Sequence, residues 1–168
     1  RHTWSKSDID AHNRKVKYNG GFKILRYRNS VNNDFSKLLY NYDAIHEGET
    51  DTIILVEGIF DVIALTRKLE LYDNPKVAVV ATFGKNISDV QVYKLQCKRV
   101  QTVIVGYDGD AVEPVKKAAS RLAKYFNVFV ANIADAHKDW DEMSVAEIFD
   151  IFAQRLQSPS NFKLRKVQ

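Results

Sequence analysis

Three acidic residues follow short apolar runs in this sequence, at positions where their side chains could bind a metal ion. Glu57 comes directly after the run Thr52–Val56, and Asp108 and Asp110 come just after the run Thr102–Tyr107. Carboxylates gathered in one place repel one another unless a cation lies between them. Oxygen ligands without His or Cys favour Mg²⁺ or Mn²⁺ over zinc. The alternative is that Glu57 and Asp108 are helix caps or loop acids.

A second acidic cluster, KDWDE, lies later in the chain at residues 138–142. If it follows a strand of the same sheet, Asp139 and Asp141 can complete a second metal position at the same edge. It can equally be a solvated acidic loop that caps the last helix. Asp61 lies one helical turn beyond the first acid. It can orient a ligand or a bound water, or complement the positive end of a helix dipole.

Apolar periodicity predicts the elements that position these acids. Four β-branched runs are typical of buried strands: Thr52–Val56, Val77–Thr82, Thr102–Tyr107 and Val128–Ile133. Helical spacing predicts four helices. The first is Ile59–Leu71, the second runs from Ser88 or Asp89 to about Cys97, and the last is Ser144–Leu156. The third is marked by one apolar face, which consists of Val115, Ala118, Ala119, Leu122 and Phe126. Ser144 and Glu147 form a capping box at the start of the last helix.

The alternation of strands and helices predicts the α/β class, with a central four-stranded parallel sheet and helices on both faces. Ligands of such sheets bind beyond the carboxyl ends of the strands. Glu57 and the Asp108/Asp110 pair then share one edge if their strands are neighbours. Gly58 is typical of a tight turn at such an edge, where a phosphate can approach the main chain.

The two ends of the chain differ from this acidic middle. The first fifty residues carry nine Lys or Arg against six Asp or Glu, and residues 155–168 carry four basic residues and no acid. We therefore divide the chain into a small basic α+β lead-in segment at 1–50, an α/β domain at 51–143, and a C-terminal helix with a basic tail at 144–168. Acidic residues between basic flanks suit a cation site bordered by a phosphate-binding surface.

Composition excludes several classes of protein. A chain of 168 residues with 45% hydrophobic and 27% charged residues is typical of a globular protein. No apolar run approaches the roughly 18 residues of a membrane span. The single cysteine, Cys97, excludes an internal disulfide framework and a Cys-rich zinc site, and it fits a reducing cytoplasm. Because the chain begins at Arg1, we expect it to be a piece of a longer protein.

The acidic motifs resemble those of the TOPRIM family. LVEGIFDVIAL at 55–65 resembles the first TOPRIM motif of bacterial-type, DnaG-like primases, and ATFG at 81–84 resembles the second-strand turn. VGYDGD at 105–110 is similar to the acidic-pair motif, and residues 138–142 are similar to the late acidic motif. The acidic motifs are shared with topoisomerases and some nucleases.

The segment upstream of these motifs resembles primases specifically. RYRNS at 26–30, FSK at 35–37 and LY at 39–40 are similar to the basic segment that precedes TOPRIM in primase polymerase domains. The resemblance implies a primase core that joins NTPs into RNA primers on a single-stranded DNA template. It also implies a replicative helicase as partner, through domains outside this chain.

The resemblance further implies a cofactor, Mg²⁺ or Mn²⁺, and a set of site residues. The metal ligands and catalytic acids are Glu57, Asp108 and Asp110, with Asp139 and Asp141 as outer or second-site ligands. The residues expected to contact nucleotide or nucleic acid are Arg26, Arg28, Asn29, Lys37 and Lys85, and Lys37 also counts as catalytic.

Two loops depart from the family pattern. Lys85–Asn86 stand where small residues usually follow the turn, and Ala111–Glu113 replace Lys-Ala-Gly. Lys85 or Lys116 can substitute for the positive charge that is missing. These departures favour a divergent relative from a bacteriophage. Two other functions stay open: a TOPRIM nuclease, since the same acids cleave phosphodiesters, and a non-catalytic module that binds nucleic acid.

Overall fold

The chain forms two compact units, residues 1–33 and residues 34–168. The structure, a computed structural model, describes residues 5–22, 24, 33–108, 112–131, 133, 138–154 and 156–159. The predictions for Arg26, Arg28, Asn29 and Asp110 fall outside these residues, as does most of the predicted basic tail. Among the described residues, no helix has both the length and the apolar character needed to cross a membrane.

The first unit contains a helix, α1, that runs Lys6–Asn19. Ser5 caps its start, because its side chain accepts a hydrogen bond from the Asp8 N–H at 3.2 Å. The helix ends at Gly20, whose N–H donates to the Val16 carbonyl at 3.0 Å. Most of its described side chains are exposed or half-buried. Apolar spacing therefore did not predict this helix.

The second unit alternates strands and helices, as predicted. Its strands are β1 (Thr52–Val56), β2 (Val77–Ala81), β3 (Thr102–Val105), β4 (Asn127–Ala131) and β5 (Leu156–Gln157). Its α-helices are α2 (Ile59–Lys68), α3 (Asp89–Cys97), α4 (Val112–Leu122) and α5 (Val145–Gln154). Two short 3₁₀ helices, Phe35–Lys37 and Tyr42–Ala44, precede β1.

The strands form one sheet in the order β2-β1-β3-β4-β5. The first four strands are parallel, and β5 pairs antiparallel with β4. The predicted class and its four parallel strands are confirmed, and β5, which follows α5, adds a fifth strand that was not predicted. A strand of two residues is too short to show a periodic pattern. Because β1 lies between β2 and β3, the residues that follow β1 and β3 are neighbours.

Alternate strand residues point to opposite faces of the sheet and produce two hydrophobic clusters. The cluster under α3 and α4 includes Leu55, Val105, Leu95 and Leu122. The cluster under α2 and α5 includes Val56, Ile104, Leu65 and Ile148. Helices therefore cover both faces, as predicted, and the carboxyl edge of the sheet lies between the two clusters.

Residues 34–50 belong to the same compact unit as the sheet. Leu39 and Ile45 are buried in the cluster under α3 and α4. Tyr40 forms an isolated antiparallel bridge with Ala81 of β2. The compact units divide after Asn33. The domain boundaries near residues 50 and 143 stay predictions about where the family domain begins and ends.

The apolar stripes predicted for the helices are buried to different degrees. The five residues predicted for the α4 face are all buried: Val115, Ala118, Ala119, Leu122 and Phe126. On α2, Val62 and Leu65 are buried, but Ile59 and Ile63 are 37% and 47% exposed. The sheet therefore covers only part of the apolar stripe on α2.

The predicted capping box at the start of α5 is confirmed. Ser144 Oγ accepts from the Glu147 N–H at 3.3 Å, and the Ser144 N–H donates to Glu147 Oε2 at 2.8 Å. Lys138 Nζ lies 2.6 Å from Glu147 Oε1. The Lys138 contact, followed by the Ser144 hydrogen bonds, lowers the pKa of Glu147 to about 2.

Candidate metal centre

The carboxylate of Glu57 lies against the main chain of Asp108 at the carboxyl edge of the sheet. Along the paired strands β1 and β3, the Gly106 N–H donates to the Leu55 carbonyl at 2.9 Å. Two residues further on, the Asp108 N–H donates to Glu57 Oε1 at 3.1 Å. A side-chain carboxylate thus replaces the main-chain carbonyl as the next acceptor between these strands. The Glu57 side chain is only 12% exposed, so a nearly buried acid lies beside Asp108.

The loop after β2 borders Glu57 from the other side. The Gly84 N–H donates to the Glu57 carbonyl at 3.1 Å, and Lys85 Nζ lies 3.9 Å from Glu57 Oε1. Phe83 has a left-handed φ of 61°, which costs about 1 kcal/mol or more for a non-glycine residue. Its ring packs on Phe35 with a centroid distance of 4.8 Å, a contact that helps to hold this conformation. Through Lys85, the loop places a positive charge beside the Glu57 carboxylate.

Asp61 lies in the first turn of α2 and is surrounded by negative charge. Its Oδ2 accepts a hydrogen bond from the Gly58 N–H at 3.0 Å. Burial, and after it the charges of Asp108, Asp139 and Asp141, together raise the pKa of Asp61 to about 7 against the opposing effect of the Gly58 hydrogen bond. Gly58 has a φ of −121°, which any residue can adopt, so the main-chain conformation alone does not require glycine here. The close approach of Asp61 explains the glycine better, because a Cβ would lie 3.1 Å from Asp61 Oδ2.

A buried hydroxyl pair lies close to Glu57. Tyr107 is 2% exposed, and its hydroxyl oxygen lies 3.3 Å from that of Thr82. Burial raises the pKa of Tyr107 above its ordinary value; the Thr82 hydrogen bond opposes this shift and the nearby Glu57 charge adds to it. Tyr107 is therefore a buried, neutral side chain beside Glu57.

Two contacts hold the acidic loop of residues 138–143 near the same edge. Trp140 is fully buried, and its Nε1 donates to the Gly106 carbonyl at 2.8 Å. Gly106 leaves room for the indole, because a Cβ there would lie 3.1 Å from Trp140 Cζ2. From the end of α2, Lys68 donates to the carbonyls of Trp140, Asp141 and Met143. The loop is thus tied to both β3 and α2.

Lys37 lies on the 3₁₀ helix that precedes the sheet, and Gln91 ties this segment to the end of β2. Gln91 is fully buried, and its Nε2 donates to the Leu38 carbonyl at 2.6 Å and to the Thr82 carbonyl at 3.2 Å. The Lys37 side chain is 65% exposed, and its Nζ pairs with Asp34 Oδ2 at 3.1 Å. The segment is therefore fixed to the sheet, while its lysine is open to solvent.

The structure brings Glu57, Asp108 and Lys85 together, whereas the full ligand set stays a prediction. Within the residues that the structure describes, no three His, Cys, Asp or Glu side chains form a group that could hold a metal ion. Asp110 lies outside those residues, and the ligand roles of Asp139 and Asp141 are untested by the geometry. The available donors are carboxylates whose crowding helps to hold the pKa of Asp61 near 7. Such donors fit a hard divalent cation.

Two residues that shape the site were missed by the sequence interpretation, namely Lys68 and Gln91. Gln91 had a weak signal, since it is the third residue after Ser88 and its Oε1 accepts from the Ser88 N–H at 2.9 Å. Lys68 had none beyond its place near a helix end, where a cation is favourable.

Comparison with known proteins places this geometry in context. A family model described as Toprim-like matches residues 54–144. A DNA primase from Mycoplasma pneumoniae is 31% identical over 134 residues, in an alignment that covers 73% of this chain and 20% of that protein. The chain thus spans about a fifth of the length of this curated relative.

Proposed function

Because the chain belongs to the Toprim-like family, we propose that it is a catalytic-core fragment of a DNA primase, which joins NTPs into an RNA primer on a single-stranded DNA template. The observation that carries the proposal is the hydrogen bond from the Asp108 N–H to Glu57 Oε1. The similarity to a DNA primase supports a primase over other TOPRIM proteins. The alignment with this primase covers 73% of the chain, so it is longer than the Toprim-like match at residues 54–144.

In this proposal the acids at the carboxyl edge hold Mg²⁺ or Mn²⁺, and the proposed ligands are Glu57, Asp108 and Asp110, with Asp139 and Asp141 as outer or second-site ligands. When bound, the ion supplies Lewis-acid stabilisation of the charge on the phosphate oxygens. The Asp108 N–H holds the Glu57 carboxylate in one orientation, so little side-chain freedom is lost on binding. Asp61 keeps a proton on its carboxyl group up to about pH 7, which limits repulsion among the acids.

In this proposal, basic side chains handle the triphosphate and the nucleic-acid backbone. Nucleotidyl transfer forms a bond from the primer 3′-hydroxyl oxygen to the α-phosphorus as the bond to pyrophosphate breaks. Lys85, 3.9 Å from Glu57 Oε1, stabilises the charge of the leaving pyrophosphate. Lys37 is exposed at the same unit's surface and supplies a point charge for the nucleotide or the template. The sequence resemblance alone supports Arg26, Arg28 and Asn29, which lie outside the described residues, as further contacts to nucleotide or nucleic acid. A replicative helicase is the proposed partner, through domains outside this chain.

Template-directed incorporation of ribonucleotides tests this function. The 168-residue chain is incubated with single-stranded DNA, labelled NTPs and Mg²⁺ or Mn²⁺, and short RNA products are separated on gels. We expect products from the unmodified chain and none from Glu57→Gln or Asp108→Asn. Glu49→Gln is the matched control, because Glu49 is 66% exposed and lies before β1 at the opposite edge of the sheet.

Three outcomes would contradict the proposal. Equal incorporation by Glu57→Gln and the unmodified chain would exclude these acids as the catalytic ligands. Nicking of plasmid DNA without incorporation would favour the nuclease. DNA binding that survives the loss of both acids, with neither reaction, would favour the non-catalytic module.

A further inference from the structure

Lys68, the last residue of α2, binds the acidic loop of residues 138–143 through main-chain carbonyls. Its Nζ lies 3.1 Å from the Trp140 oxygen, 2.8 Å from the Asp141 oxygen and 2.6 Å from the Met143 oxygen. An ammonium group has three N–H donors. The geometry therefore uses the full donor capacity of this side chain on one loop.

This pattern fixes the path of the loop while sparing its acidic side chains. All three donors of Lys68 are directed to carbonyls, so none remains for the carboxylate of Asp139 or Asp141. Hydrogen bonds that involve an ionised donor are stronger than those between neutral groups. The loop is therefore held by its main chain, with its two Asp side chains left to interact with other groups.

α2 connects this contact to the candidate metal centre. The helix begins at Ile59, two residues after Glu57, carries Asp61 in its first turn and ends at Lys68. A second anchor lies directly after β3, because Trp140 Nε1 donates to the carbonyl of Gly106, two residues before Asp108. A loop held at a single point can still turn about it. Two anchors, one at the end of the helix that follows Glu57 and one two residues before Asp108, prevent this rotation.

We propose that Lys68 is a positioning residue, which fixes the main chain of residues 138–143 so that Asp139 and Asp141 act as outer or second-site ligands at the metal centre proposed for Glu57 and Asp108. The inference rests on the proposed function, since it requires a cation at that centre. Lys68 acts through the two Asp residues and does not touch the reacting groups. It therefore sets how strongly the loop contributes to metal binding.

Mn²⁺ affinity of the full chain, measured by electron paramagnetic resonance of free Mn²⁺, tests the positioning role. Lys68→Met keeps the length of the side chain and removes its three donors. We expect its Kd for Mn²⁺ to rise about tenfold, as when an outer partner of a metal ligand is lost. Lys68→Arg, which keeps the charge and several donors, should restore most of the affinity. If Lys68→Met does not fold, Lys68→Gln replaces it with a smaller expected loss.

A second background separates positioning from a general loss of stability. In a chain that also carries Asp139→Asn and Asp141→Asn, we expect Glu57 and Asp108 to bind Mn²⁺, although more weakly than in the unmodified chain. Adding Lys68→Met to this double variant should then change its Kd for Mn²⁺ less than twofold. The urea midpoint of unfolding should fall by a similar amount in both backgrounds. Only a positioning role makes the effect on Mn²⁺ depend on the two Asp residues.

The outcomes distinguish this inference from the proposed function. If Lys68→Met leaves the Kd unchanged, or raises it equally in both backgrounds, the positioning role is wrong while the metal centre stands. If the unmodified chain binds no Mn²⁺, or Glu57→Gln binds it as tightly, the proposed function fails and the inference fails with it.

Discussion

The main-chain N–H of Asp108 donates to the side-chain Oε1 of Glu57 at 3.1 Å, one step beyond the last main-chain bond from β3 to β1. The hydrogen bond joins two segments that are 51 residues apart in sequence. It orients a nearly buried carboxylate toward the residue expected to be its fellow ligand. Substitutions of the side chains around this hydrogen bond should therefore change metal binding, stability or nucleotide binding by amounts that can be measured.

Removing the charge of Glu57 should abolish metal binding and leave the fold intact. In Glu57→Gln the amide oxygen can still accept from the Asp108 N–H, so the link between β1 and β3 is kept. We expect the Kd for Mn²⁺ to rise by more than about 100-fold, beyond the loss typical of outer partners. Electron paramagnetic resonance of free Mn²⁺ measures the change, with Glu49→Gln as control. A variant that binds Mn²⁺ like the unmodified chain would show that Glu57 is not a ligand.

The ionisation of Asp61 should make the metal-free protein less stable as pH rises. Its pKa is about 7 in the folded state, whereas the ordinary pKa of an aspartate side chain, taken for the unfolded state, is 3.8. Between these values the folded chain holds a proton that the unfolded chain has lost. The free energy of unfolding therefore falls as pH rises toward 7, by at most about 1.4 kcal/mol per pH unit.

Asp61→Asn should flatten this dependence, because the amide cannot ionise and its oxygen can still accept from the Gly58 N–H. Urea unfolding in EDTA between pH 5 and pH 8 measures both proteins. Equal slopes for the two proteins would mean that Asp61 does not hold the proton.

Lys85 should oppose metal binding while it supports nucleotide binding. Its Nζ lies 3.9 Å from Glu57 Oε1 and is partly exposed, so the interaction is worth up to about 1 kcal/mol. We expect Lys85→Gln to bind Mn²⁺ up to about fivefold more tightly, and to require more NTP for half-maximal synthesis. Lys76→Gln, at the amino end of β2, is the control. Weaker Mn²⁺ binding by Lys85→Gln would contradict this account of the ion pair.

Loss of the Gln91 side-chain amide should release the segment that carries Lys37. In Gln91→Leu the carbonyls of Leu38 and Thr82 lose their donor, which costs about 1–3 kcal/mol for buried groups. Gln96→Leu is the matched control, because Gln96 lies on the same helix and is exposed. Urea unfolding and the hydrogen-exchange rates of residues 35–39 measure the effect. Similar results for the two variants would show that Gln91 does not hold the segment.

Much of the fold followed from local sequence pattern. β1, β2 and β3 are short β-branched runs, and their observed starts coincide with the predicted ones. The proximity of Glu57 to Asp108 followed from a general rule about parallel sheets once their strands proved to be neighbours. The strands were predictable because each depends on only a few adjacent residues, whereas the structure was needed to show that β1 and β3 are neighbours.

Other features depend on contacts between distant residues and leave no periodic signal. Lys68 finds its acceptors 72 to 75 residues away, and nothing in the sequence around it specifies them. Gln91 is polar and yet fully buried, because main-chain carbonyls from two other segments meet at its amide. In α1, Ile9 is buried, but the helix has only Val16 as a second branched aliphatic residue, so no continuous apolar stripe marks it.

Anomalous diffraction from crystals of the chain soaked in Mn²⁺ tests the central claim most directly. The account predicts an anomalous peak within coordination distance, about 2.2 Å, of a carboxylate oxygen of both Glu57 and Asp108. A peak elsewhere, or no peak at a Mn²⁺ concentration that supports synthesis, would contradict it.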